Sequence, residues 1–256
     1  MALFRKSVLK QAKFRRILEL LDDPAGKTNL DIGADNGVVS LLLRQRGGRW
    51  SSADLDPRAV ASIRQLVGSD VHQLDGPRTP FADHSFDQVV VVDYLEHIRD
   101  DRAFARELER ILVPGGGVVI NVPHLQPRSP LNRFRHRIGL TDEWHGHLRP
   151  GYTAASLSDV LGPRFLIERT VTYSRFGSEL VDTALNGIYE LVRTRKAGAA
   201  SSKGTVVTQD DLQRHRQQFR VLSALNPLLR LPAATDALLP WQPGHKLILR
   251  ARFTGG

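Results

Sequence analysis

The side chains with chemical reach in this chain are carboxylates at the ends of short apolar runs and the histidines that follow them. Asp31 lies in Leu30-Asp31-Ile32-Gly33-Ala34-Asp35-Asn36-Gly37 and Asp54 closes Arg49-Trp50-Ser51-Ser52-Ala53-Asp54. Asp75 follows Val71-His72-Gln73-Leu74, and Asp93 follows Phe86 to Val92. Asp54 comes 23 residues after Asp31, about the interval at which nucleotide-binding βαβ units set an acid on a ribose. Gly33 and Gly37 mark a tight turn, where glycine reaches positive φ and lets a ligand approach backbone N–H groups at a helix start. Such a turn binds a nucleotide-like cofactor. His97 lies just beyond the fourth run, and His145 and His147 fall in Asp142-Glu143-Trp144-His145-Gly146-His147. A neutral imidazole at any of these positions can take a proton near neutral pH. Asp142, His145 and His147 could also converge on a metal from a loop, but nothing argues for a supporting shell, and no metal is assigned.

The elements that must position these groups alternate along the chain. Residues 4–21 place Phe14, Ile17, Leu18 and Leu21 at i, i+3, i+4 and i+7, an amphipathic helix that packs on the sheet edge or closes over the cofactor. Val38 opens a helix that stops near Gly47-Gly48, and Asp56-Pro57 starts another that runs to about Val67. Arg99 to Leu112 is a further helix with Phe104, Leu108, Ile111 and Leu112 inward, stopped by Pro114 and the glycines after it. Val89-Val90-Val91-Val92 is apolar on both faces, as a central parallel strand should be, and Val118 to Val122 is a fifth strand. Thr153 caps a helix to Leu161, Phe165 to Val171 reads as a sixth strand, and Lys246 to Phe253 as a seventh. The pattern predicts an α/β fold with a doubly wound, mostly parallel seven-stranded sheet whose carboxyl edge holds ligands.

At this point the sequence resembles a family. Asp31-Ile32-Gly33-Ala34-Asp35-Asn36-Gly37 is similar to the first motif of class I S-adenosylmethionine-dependent methyltransferases, Asp/Glu-x-Gly-x-Gly-x-Gly, with Asp35 where the family usually has its middle glycine. Ala53-Asp54-Leu55-Asp56-Pro57 resembles the second-strand acid and helix start, and Asp75 with Pro80 to Asp87 resembles the adenine-side loop. Tyr94-Leu95-Glu96-His97-Ile98 and Arg110 to Gly117 match the stretch after strand four and the turn before strand five, and His147-Leu148-Arg149-Pro150-Gly151-Tyr152-Thr153 resembles "His-x-Arg-x-Tyr-Thr" of the ubiquinone-biosynthesis kind. The resemblance covers roughly residues 28–123, and implies S-adenosyl-L-methionine as cofactor. It places the methionine end at Asp31, Gly33, Ala34 and Gly37, ribose and adenine at Asp54 and Leu55, and the adenine edge at Asp75 and Gly76. Asp93 is assigned to the same cofactor site.

Size and composition bound the rest. The 256 residues hold a sizeable core, 41% hydrophobic and 25% charged residues are ordinary for a soluble globular protein, and no run approaches the ~20 apolar residues of a membrane span. The basic N-terminal stretch lacks the apolar segment of a secretory signal, so a cytoplasmic location is expected, with peripheral contact at the inner membrane face left open. With no cysteine, disulfides, thiolate metal sites and thiol nucleophiles are excluded. A net charge of +9 favours anionic partners. Arg128, Arg133, Arg135 and Arg137, in the loop after strand five, would suit a phosphate or carboxylate on an acceptor.

The expected organisation is a basic N-terminal helix over 1–26, a cofactor-binding core over 27–173, a helical insertion over 174–243 and the last core strand over 244–256. The insertion combines a helix near Ser178 to Val192, a polar linker at Ala197 to Gly204, and a helix near Asp210 to Leu225 carrying Arg214, Arg216 and Arg220; it serves as a lid, a dimer contact or a membrane-facing element. The expected function is O-methylation of a small or lipid-linked, anionic acceptor, with His97, His145 or His147 as base. An RNA methyltransferase and a non-catalytic protein with a degenerate pocket are the alternatives. Nucleic acid is the less favoured partner, since Asp93-Tyr94-Leu95-Glu96 stands where base-amine methylases of the family have Asp/Asn-Pro-Pro-Tyr/Phe.

Overall fold

The computed structural model describes residues 4, 7–126, 129–142, 146–184, 231–232, 234–239 and 241–255. The alternation expected from the sequence is observed: α1 (Val8–Leu20), β1 (Thr28–Ile32), α2 (Val38–Arg44), β2 (Arg49–Asp54), α3 (Pro57–Val67), β3 (Val71–Gln73), β4 (Phe86–Val92), α4 (Asp101–Ile111), β5 (Leu112–Pro123), α5 (Pro130–Arg137), α6 (Ala154–Leu161), β6 (Phe165–Tyr173) and β7 (Lys246–Phe253). The helix starts follow local chemistry. Asp56 caps α3 with Pro57 at its first turn, Ser129 caps α5 ahead of Pro130, and Thr153 and Ser156 form a reciprocal capping box on α6.

The seven strands form one sheet in the order β3-β2-β1-β4-β5-β7-β6. β1 runs parallel to β2 and β4, whereas β7 runs antiparallel to both β5 and β6. The order reverses between β1 and β4, so this is the switch point where a crevice opens at the carboxyl ends. Period-two alternation in β4 divides the core. Val89 and Val91 pack with α4 and α6 on one face, and Val90 and Val92 pack with Ile17 and Leu20 of α1 on the other. The glycines expected to make a turn before strand five instead lie in a bulge within β5, where pairing jumps from Phe86↔Leu112 to Gln88↔Gly117.

α1 settles onto the sheet face. Its end is fixed by Arg250 of β7, which donates to the Leu20 carbonyl at 2.5 Å and to Asp22 at 2.7 Å while bonding Glu168 at 2.5 Å. Of the insertion, a helical stretch over 176–184 and a short turn at Thr235–Leu238 are described. The linker at 197–204, the helix near 210–225 with its arginines, and Arg128 and His145 lie outside the described residues.

Candidate active site

Beneath the switch point is a wholly buried carboxylate. Asp31 is 0% exposed; it accepts from Ser40 Oγ at 2.5 Å and Ser52 Oγ at 2.7 Å, with Arg44 3.6 Å away. Burial raises its pKa against the pull of those partners. These bonds tie the end of β1 to α2 and β2. Ala34 is buried likewise, against Val60, Ile63 and Val71. Gly33 and Gly37 both have positive φ, 80° and 79°, and a Cβ on Gly33 would stand 2.1 Å from the Val92 carbonyl oxygen. Asp35, in place of the family's glycine, is itself in the left-handed region at φ 55°, a conformation aspartate tolerates.

Across the switch point the assigned acids gather around a residue that the sequence reading quoted without a role. Tyr94 is 2% exposed and donates from its hydroxyl to the Gly76 carbonyl at 2.9 Å. Burial, followed by the charges of Asp54 and Asp75, raises its pKa. Asp54 ends β2 and accepts from its neighbour's amide, Asp56 N, at 3.0 Å. Burial, with the nearby charges of Asp35 and Asp56, pushes its carboxyl up to about 6. Leu55 packs half-buried against the core, and Asp75 is exposed. Glu107 accepts from Thr79 N and Oγ1 at 2.7 and 2.6 Å, anchoring the loop that carries Gly76 to α4. A largely buried strand-end carboxylate with no cation bonded to it among the described residues, beside a tight glycine turn, fits a ribose diol.

α1 reaches this edge with two lysines. Lys10 lies 3.5 Å from Asp35, and Lys13 pairs with Asp93, which sits at φ 46° and also accepts from Asn121 Nδ2 at 2.8 Å. Although burial works the other way, the ammonium groups of Lys13 and Lys246 hold the Asp93 carboxyl well below its ordinary value. Lys13→Ala is expected to cost about 2 kcal/mol at neutral pH, from a charge-assisted bond that loses its donor. A depressed carboxyl adds stability above its unfolded pKa and loses it as pH falls, so in chemical denaturation the deficit should narrow below about pH 4.

On the acceptor side of β4, Glu96 and His97 occupy a short 3-10 turn and His147 comes from the loop after α5. Backbone bonds clamp this loop: Leu148 N donates to the Glu96 carbonyl at 2.8 Å, Arg149 pairs with Asp101 and donates to the carbonyls of Ile98 and Arg99, and Tyr152 Oη donates to Asp101 at 2.9 Å. The His97 and His147 rings meet edge to face at 5.1 Å, and His97 Nδ1 lies 2.9 Å from the Gly146 carbonyl. Glu96 is 0% exposed; burial and the charge of Asp93 push its carboxyl up to about 8. The structure therefore brings His97 and His147 together, and adds Glu96, which the sequence reading passed over inside the quoted Leu95-Glu96-His97. The grouping of Asp142 with His147 is loose, at 4.0 Å. One expectation needs correction: Arg135 bonds Glu179 at 2.8 Å and lies 3.6 Å from Asp182, so it joins α5 to the 176–184 helix and is not held for an acceptor.

Residues 30–120 match the methyltransferase domain family. The chain is 33% identical over 113 residues to a ubiquinone biosynthesis O-methyltransferase of Pseudomonas paraeruginosa, covering 42% of this chain and 49% of that one. The chain thus spans about half the length of the curated relatives it matches. Among solved structures, the [4+2]-cyclase SpnF superposes with a TM-score of 0.63 at 18% identity, covering 96% of this chain and 82% of that one. The N-methyltransferase NodS from Bradyrhizobium japonicum, solved with S-adenosyl-L-homocysteine, does so with 0.53 at 20%, covering 69% and 85%. These likenesses carry the fold. Residues 30–120 are thus a methyltransferase domain of the class I, S-adenosylmethionine-dependent kind, and S-adenosyl-L-methionine is the cofactor of that class.

Proposed function

We propose that this protein transfers the methyl group of S-adenosylmethionine to an oxygen of a small or lipid-linked acceptor. The observation that carries the reading is the pairing, on either side of the switch point, of a ribose-type carboxylate at Asp54 with the Glu96, His97 and His147 cluster beyond β4. The cofactor supplies an electrophilic methyl on a sulfonium. The chain's work is to hold the ribose at Asp54, keep the turn at Gly33 to Gly37 open to the methionine end, and receive the acceptor's proton at the cluster. A lipid-linked acceptor is supported by the half-exposed Phe134 on α5 and Ile138 just past its end, set among the exposed Arg133 and Arg137. An anionic acceptor has less support: near the cluster Lys246 already faces Asp93, Glu96, Glu179 and Asp182. Among the described residues no helix is long and apolar enough to cross a membrane.

The test is release of S-adenosylhomocysteine from S-adenosylmethionine in the presence of phenolic acceptors with and without prenyl tails. Methylation of the tailed acceptors is the expected result. Transfer to RNA alone, with binding that weakens steeply as salt rises, would replace this reading. His97→Ala should lower turnover at least about 100-fold with cofactor affinity changed less than about twofold, as expected for loss of proton transfer. Full activity would move the proton acceptor elsewhere.

A further inference from the structure

Glu96, His97 and His147 each offer a ligand atom, and these atoms lie within 4.8 Å of one another. Glu96 is the telling member. It is wholly buried, and both its carboxylate oxygens lack a hydrogen-bond partner among the described side chains, leaving only its own backbone amide. A buried carboxylate so placed is costly unless something compensates it. His97 is oriented as a ligand would be. Its Nδ1 faces the Gly146 carbonyl at 2.9 Å, and a carbonyl only accepts, so Nδ1 carries the proton and Nε2 keeps its lone pair. The third member is held on a loop fastened by Leu148 N to the Glu96 carbonyl and by Arg149 to Asp101, so the three donors are preset by the fold.

From this arrangement we infer that Glu96, His97 and His147 form a binding site for one divalent transition-metal cation of the zinc type. One carboxylate and two imidazoles make a borderline donor set with room for further ligands, the arrangement of a reactive centre more than of a closed structural one. Its place in catalysis rests on the methyl-transfer reading; the binding itself does not. In the metal-loaded site His97 would act as a ligand in place of a proton acceptor: the ion would hold the acceptor's hydroxyl oxygen, its proton would pass to solvent, and the oxygen lone pair would form the new C–O bond as the C–S bond breaks and S-adenosylhomocysteine departs.

The full chain, stripped with chelator, would be titrated with Co2+ by visible absorption and with Zn2+ by calorimetry, without cofactor. One equivalent of Co2+ with ligand-field bands that Zn2+ abolishes is expected. Glu96→Gln and His147→Ala should each weaken Zn2+ binding by at least about tenfold, whereas His124→Ala should not. Glu96→Gln keeps the shape of the buried side chain, so its circular dichroism and unfolding midpoint separate loss of the ion from loss of the fold. No stoichiometric uptake by the wild-type chain, or unchanged affinity in folded Glu96→Gln, overturns the site. A parallel titration with S-adenosylhomocysteine reads the cofactor pocket: metal uptake without cofactor binding would sink the methyl-transfer reading and leave the metal site standing, and the reverse result would do the opposite.

Discussion

Asp54→Ala is expected to reduce affinity for S-adenosylhomocysteine by roughly 100-fold or more while leaving the chain folded. The carboxylate at the end of β2 accepts from the backbone amides of Leu55 and Asp56 and has no cation bonded to it among the described residues, which leaves acceptor capacity for a ligand. Two hydrogen bonds from a ribose to a charged acceptor, at about 1.5–3 kcal/mol each, account for that loss. The same side chain weakens the free protein. Burial and the neighbouring charges of Asp35 and Asp56 raise its carboxyl from 3.8 to about 6. A group raised in the folded state contributes its stability at low pH and loses it as pH rises through about 6, so at neutral pH the ionised Asp54 is a net cost. Asp54→Asn should therefore bind cofactor poorly yet unfold at a higher midpoint than wild type above pH 6, by about 1–3 kcal/mol, with the difference vanishing near pH 4. In wild type, cofactor affinity should fall as pH drops below about 6, and this dependence should be absent from Asp54→Asn. Calorimetric titration across pH, paired with thermal unfolding, measures both. Affinity unchanged in Asp54→Ala would remove the ribose assignment.

What the sequence revealed of this fold was whatever recurs with a short period. The valines of β4 alternate between two cores because side chains of a strand alternate faces, and the helix starts at Asp56-Pro57 and Thr153 follow from caps that act within three residues. Contacts across the chain were not legible. Nothing local says that Lys13 would meet Asp93, 80 residues away, or that Arg135 would be consumed by Glu179, 44 residues on. Asp31 was read as a ligand contact from its place in the motif; its carboxylate points at Ser40 and Ser52, so the acid braces the strand end ahead of the glycine turn. Glu96 stood in plain view beside His97, but a glutamate's spacing does not reveal that it is wholly buried.

Asp35 shows how one substitution is absorbed. At φ 55° the position favours glycine, yet aspartate is among the residues that tolerate the left-handed region, and Lys10 stands 3.5 Å from its carboxylate. Both side chains of that pair are about half exposed, so the ion pair itself contributes little. The larger consequence is electrostatic: Asp35 adds negative charge beside Asp54 and helps raise its pKa, linking the departure from the family motif to the pH range in which the ribose acceptor is charged.

Gly33→Ala should be the most damaging single methyl group in the site, because backbone conformation and space both refuse it. Gly33 has φ 80°, which costs an alanine about 1 kcal/mol, and its new Cβ would stand 2.1 Å from the Val92 carbonyl oxygen and 3.3 Å from Tyr94 Cβ. The obstructing atom is backbone of the adjacent central strand, so relief requires β1 and β4 to separate at their carboxyl ends. That movement would carry Asp93 and Tyr94 with it and disturb the crevice from the acceptor side. A loss of about 3–5 kcal/mol is expected, or roughly 10 °C in unfolding midpoint for a chain of this size, together with loss of cofactor binding. Gly115→Ala supplies the comparison: its φ is also 80°, but no atom lies within 4 Å of the added Cβ, so it should cost only about 1 kcal/mol and leave cofactor affinity intact. Equal losses in the two variants would mean that the left-handed backbone alone governs both positions, and that the close approach of β4 to the turn contributes nothing.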